Sequence, residues 1–109
     1  MKTVRIQAGA IVDERSLHAE FDQKLGFPDY NGNNWNAWID CMSCLTEPAG
    51  YMSSVHLEPA EELRLELVDG EDLRTRCPSV FATLIECVEF VNSRYADRGE
   101  QNQITVSLA

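Results

Sequence analysis

Basic residues are scarce in this chain: nine lysines and arginines face eighteen aspartates and glutamates, for a formal net charge of −9. A surface of that sign is repelled by nucleic acid and by anionic membranes, so neither is expected as a partner. It is drawn instead to basic proteins, and enzymes that handle nucleic acid are commonly basic near their substrate. Acidity also keeps ordinary domains in solution, so charge supports such a partner only mildly. Long apolar runs are missing too. None approaches the ~20 residues of a membrane span. The opening Met1-Lys2-Thr3-Val4-Arg5-Ile6-Gln7 is too short and too polar for a signal peptide, which makes the cytoplasm the expected location.

Histidine is limited to His18 and His56, far apart in the chain. There is no G-x-S-x-G, no Gly-rich phosphate loop, no H-E-x-x-H, and no cysteine with a His–Asn retinue. Catalytic residues, a small-molecule substrate and cofactors are therefore not expected, and the chain does not read as an enzyme. Cysteines stand at 41, 44, 77 and 87. Cys41 and Cys44 have the C-x-x-C spacing of zinc ribbons and thiol–disulfide enzymes. The pair falls inside an expected helix, away from the N-terminus whose dipole lowers a thiol pKa, and no second pair accompanies it. Four reduced thiols and no metal site are the expectation.

At 109 residues the chain is long enough for one core, and residues 1–109 read as one domain. Lys2 to Gln7 alternates in polarity and predicts a strand. After a loop in which residues 10–12 can add a short extended piece, Ser16 is placed to cap a helix. That helix carries Leu17, Phe21 and Leu25 on one face and is closed by Gly26. His18 lies one position off that face and reads as a packed or solvated histidine. Residues 46–61 carry Pro48, Gly50 and Pro59 and predict an irregular stretch, with Tyr51, Met52 and His56 within reach of a binding face. Leu63 to Val68 predicts a second strand, ended by Asp69-Gly70, with a short helix over 71–76. Pro78 suits the first turn of a longer helix whose apolar positions 81, 84, 85, 88, 91 and 95 keep the 3.6 period. Gly99 ends it, and Ile104 to Leu108 closes the chain as a strand. The order β-α-α-β-α-α-β predicts an α/β fold: a three-stranded parallel sheet with helices packed around it.

The most informative stretch is residues 28–45. A proline and an Asn/Gly cluster mark a loop. A helix follows, with Asn33 or Asn34 as its N-cap. Helical spacing puts Trp35, Trp38, Met42 and Leu45 on one apolar stripe, flanked by Cys41. Asn36, Asp40, Ser43 and Glu47 fall on the polar side, with Ile39 at the margin. A tyrosine beside a helix N-terminus is a recognition device, and Gly32 lets a loop backbone approach a partner closely.

These residues resemble the barstar family, small acidic inhibitors of secreted microbial ribonucleases. The resemblance rests on Ser16-Leu17-His18, on Leu25…Pro28…Tyr30-x-Gly32-x-Asn34, and on Ala37, Asp40-Cys41 and Glu47-Pro48. It implies that the loop and helix enter a nuclease active site, with Asp40 in a phosphate-binding spot. The implied partner-binding residues are Tyr30, Asn31, Gly32, Asn34, Asn36, Ile39, Asp40, Ser43, Cys44 and Glu47, aided by Asp29. The implied partner is a basic nuclease toxin, bound one to one by its immunity protein. Three features depart from the family. Asn36 and Ile39 stand where its best-studied members place an aspartate and a tryptophan. The region of Asn92 and Ser93 lacks a further acid of the last long helix, a contact absent or moved to Glu89. The 46–61 connection is longer than the family's. A barstar-like adaptor without a nuclease target is the other reading the sequence leaves open.

Overall fold

The described residues of the computed structural model are 1–27, 34–47 and 53–109. Among them, strands β1 (Lys2–Gln7), β2 (Glu62–Val68) and β3 (Gln103–Leu108) form one sheet in the order β1-β2-β3. Both pairings are parallel, with Val4 opposite Leu65 and Leu65 opposite Val106. Parallel neighbours cannot be joined by a hairpin, so each connection must cross over. Helices α1 (Glu14–Leu25) and α2 (Trp35–Met42) lie in the first crossover, and α3 (Gly70–Arg76) and α4 (Pro78–Asp97) in the second. The α/β class and the element order are those the sequence predicts.

The sheet is not covered on both faces. By register, Val4, Ile6, Leu63, Leu65, Leu67, Ile104, Val106 and Leu108 share one side, and all join the core with residues from the helices. The opposite side carries Thr3, Arg5, Gln7, Arg64, Glu66 and Thr105. Thr3, Arg5 and Gln7 are exposed, and Arg5 pairs with Glu66 at 3.1 Å. Parallel sheets are usually buried on both faces and read as continuous apolar runs. The alternation of Thr3 to Gln7 and of Leu63 to Leu67 is the signature of a single covered face. The largest fully buried side chains include Trp38, Tyr95, Phe21, Ile6 and Ile11.

Two local expectations change. Asp13, not Ser16, is the N-cap of α1: its carboxylate accepts from the Ser16 N–H at 2.8 Å. Ser16 Oγ accepts in return from the Asp13 N–H at 3.1 Å, a reciprocal box that ties down both ends of the first turn. Residues 8–10 form one 3-10 turn closed by the Ile11 N–H on the Ala8 carbonyl at 3.1 Å, so of the expected piece over 10–12 Ala10 belongs to the turn while Ile11 is extended. Residues 53–61 lack regular structure, as expected, but are firmly seated. The Ser54 N–H donates to the Leu25 carbonyl and the Leu57 N–H to the Leu45 carbonyl, both at 2.8 Å, and Leu57 is buried. Gly26 makes this approach possible. It ends α1 at a φ of 66°, and a Cβ there would stand 2.6 Å from Ser54 Oγ.

Candidate functional site

Helix α2 begins where a short amide can satisfy its free N–H groups: Asn34 Oδ1 accepts from the Ala37 N–H at 2.8 Å. Asn34 is thus the cap, settling the choice with Asn33. The helix is seated by aromatic edges. Trp35 meets His18 at 4.9 Å and Trp38 at 5.7 Å, and Trp38 meets Phe21 of α1 at 5.5 Å, all T-shaped. Trp38 is fully buried, whereas Trp35 is only partly so. His18 is packed: it is buried, and Nε2 lies 3.3 Å from Glu14.

With the tryptophans turned inward, Asn36 and Asp40 face outward and Glu47 is exposed further along the chain. Ile39 is half-buried against the core. Ser43 departs from the expected polar face. It is 2% exposed, and its hydroxyl donates to the Ile39 carbonyl at 2.6 Å. Ser43 is the C-cap of α2, still in helical conformation, and its N–H reaches the Ile39 carbonyl at 2.9 Å. Its burial comes from the packing at the helix end, where Arg98 bonds its carbonyl, and not from a change of helical phase. Cys44 lies beyond the helix, in the turns that span residues 43–46, and is half-buried. Pro28, Asp29, Tyr30, Asn31, Gly32 and Asn33, like Pro48, Tyr51 and Met52, lie outside the described residues. His56 lines a different feature, a cleft of about 400 Å³ with Thr46, Leu57, Glu100 and Asn102.

The turn after α2 is held by α4. Tyr95, buried, donates its hydroxyl to the Met42 carbonyl and accepts from the Leu45 N–H at 3.2 Å. Burial pushes its phenol up to about 12, so it stays a neutral donor. Arg98 lies over the Tyr95 ring at 4.8 Å and donates to the Ser43 carbonyl at 2.7 Å. Thr46 donates to Glu100 at 3.0 Å. The Tyr95 and Arg98 bonds satisfy the Met42 and Ser43 carbonyls, which the end of the helix leaves open.

Asp40 is not a free carboxylate. Arg94 of α4 donates to its Oδ1 at 3.0 Å, and the Arg94 guanidinium lies 5.1 Å from the centre of the Phe90 ring. Both partners are substantially exposed, 62% for Asp40 and 41% for Arg94, so the pair contributes roughly 0–1 kcal/mol to folding. Asn92 is committed to the sheet, exchanging two bonds with the Ile104 backbone at 2.9 and 2.8 Å. Ser93 bonds the Phe90 carbonyl. Glu89 is exposed. Helix α4 thus places a cation, Arg94, beside Asp40. Arg94, Phe90 and Arg98 were not identified from sequence. Asp40 and Arg94 are 54 positions apart, and no local pattern links them. Tyr95 was visible only as one member of an apolar stripe.

The C-x-x-C pair has chemistry opposite to that of a reactive site. Burial pushes the Cys41 thiol up to about 11, with Cys44, Asp22 and Asp40 adding to the effect. Burial, then Glu47, raises Cys44 as well, and burial raises Cys87. Metal ligation and thiol exchange need the thiolate, which these surroundings disfavour. All four cysteines are free thiols.

A family model described as Barstar (barnase inhibitor) matches residues 1–107, essentially the whole chain. No match is found among curated proteins.

Proposed function

We propose a function from one premise: the chain belongs to the barstar family. Membership implies a ribonuclease-inhibitor or immunity-type role, and members of the family are inhibitors rather than enzymes. Beyond that, our reading is that the protein acts in the cytoplasm as the immunity partner of a basic nuclease toxin, a ribonuclease, blocking its active site one to one. The observation that carries it is Asp40. It is a solvent-facing carboxylate on a helix whose other side is locked by Trp38, Cys41 and Met42. A carboxylate held on a rigid helix loses little entropy when a cationic pocket closes on it. Charge-assisted bonds from arginine or lysine to such a group are among the strong ones. The net charge of −9 adds long-range attraction to a basic target. Asn34, Asn36, Ile39, Cys44 and Glu47, with Tyr30, Asn31 and Gly32 of the preceding loop, complete the proposed contact set. Ser43 is left to support the helix end.

Asp40→Ala tests this. The partner is the nuclease that co-purifies with the chain, and circular dichroism controls for folding. The variant is expected to fold normally, since an exposed helix position tolerates alanine. Its affinity is expected to drop by several kcal/mol, because cationic groups are left buried and unpaired in the complex. A folded variant that binds like the parent removes the phosphate-mimic mechanism.

A further inference from the structure

We infer that Asp40 and Arg94 act together as one recognition unit, fitted to a target whose cationic pocket is bordered by a catalytic carboxylate. This rests on the inhibitor reading of α2 above, and it names a feature of the target that the reading leaves open.

Three observations lead here. Arg94 Nη1 stands 3.0 Å from Asp40 Oδ1, so the outermost charge on α2 comes paired with a cation from α4. Phe90, one turn earlier on α4, is 49% exposed and lies against the same guanidinium. The side chain of Arg94 thus runs between a ring and a carboxylate, which fixes its direction. Folding gains little from the pair, because both ends are wet. A stabilising role does not account for an exposed aromatic that holds an arginine beside the proposed phosphate mimic.

Complementarity does account for it. An enzyme that cleaves phosphodiesters by general acid–base catalysis needs cations for the phosphate and a base within hydrogen-bond reach of the attacking group. A lone carboxylate entering the cationic pocket is drawn to the former and repelled by a carboxylate serving as the latter. With Arg94 alongside, the inhibitor presents minus and plus where the target presents plus and minus. Like-charge juxtaposition in an interface costs several kcal/mol, and a placed counter-charge removes that penalty. Phe90 then forms the apolar border of the unit, and aromatics and arginines are the residue types enriched at such centres.

The test uses the nuclease that co-purifies with the chain, prepared as wild type and with its catalytic carboxylate changed to the amide. Dissociation constants are measured by calorimetry for the parent, Asp40→Ala, Arg94→Ala and Phe90→Ala, with circular dichroism on each variant. Arg94→Ala is expected to weaken binding to the wild-type nuclease about tenfold or more. Against the amide form the loss is expected to shrink to about twofold, the limit of additivity for uncoupled sites. Phe90→Ala is expected to weaken both forms to a lesser extent. Arg94→Ala binding as tightly as the parent, or tighter, overturns the inference, as does an equal loss against both nuclease forms. In those cases a large loss in Asp40→Ala leaves the inhibitor reading standing. Asp40→Ala binding like the parent, or a co-purifying partner that is not a nuclease, removes both.

Discussion

Trp38 is fully buried and meets two other rings edge-on, so the position of α2 depends on it. Trp38→Ala is expected to cost roughly 3–5 kcal/mol in a denaturant melt. Trp35→Ala should cost clearly less, because that ring is only partly buried. The Trp38 indole N–H has no partner among the described residues, which makes its ring volume, rather than a hydrogen bond, the property that matters. Cys41 gives a pH signature. Its folded-state pKa is raised from 9.0 to about 11, so burial favours the neutral thiol. The associated stability is fully present below pH 9 and is lost as pH rises through about 11. The stability gap between the parent and Cys41→Ala should therefore narrow over that window, and urea midpoints at several pH values would show it. A constant gap would mean that the thiol does not titrate there.

Among the elements, α1 and α2 each depend on a side chain at their start, but differently. In α1 the Ser16 backbone N–H, then its hydroxyl, lowers the Asp13 pKa below its ordinary 3.8. A depressed carboxylate pKa contributes stability that is present above 3.8 and is lost as pH falls through the lower folded value. Asp13→Ala should thus be less stable than the parent at neutral pH and should approach it in strong acid, as thermal melts across that range would reveal. The end of α2 rests on Tyr95, whose hydroxyl serves two backbone groups at once. Tyr95→Phe leaves both without that partner in a buried setting and should cost about 1–3 kcal/mol. Faster hydrogen exchange at the Leu45 amide would mark the loosened turn, and unchanged exchange there would show that Arg98 holds it alone.

For the molecule as a whole, charge and the one-sided sheet matter most. With a net charge of −9, association with a basic partner should slow as salt is added while dissociation changes less. Stopped-flow and dissociation measurements at several ionic strengths separate the two, and equal effects on both rates would argue against steering. None of the described helices is long and apolar enough to cross a membrane. The uncovered face of the sheet is closed by polar side chains and the Arg5–Glu66 pair, which keeps it compatible with water without a second helical layer.

Alternating and 3.6-residue patterns determined much on their own. They located all three strands, the order of the helices, the inward tryptophans and the outward Asp40, because these depend on side chains a few positions apart. The reading of residues 16–48 likewise led to the family. Tertiary structure decided what contacts across long separations control. It paired Asp40 with Arg94, tied the turn after Met42 to Tyr95 and Arg98, and buried Ser43 at the end of the helix. It also left one face of the sheet open. The alternation of β2 already hinted at that, but only the register with β1 and β3 carried the polar side chains of all three strands to the same side. A periodic pattern records which side of its own element a residue occupies; the partner that meets it there is set by how the elements pack.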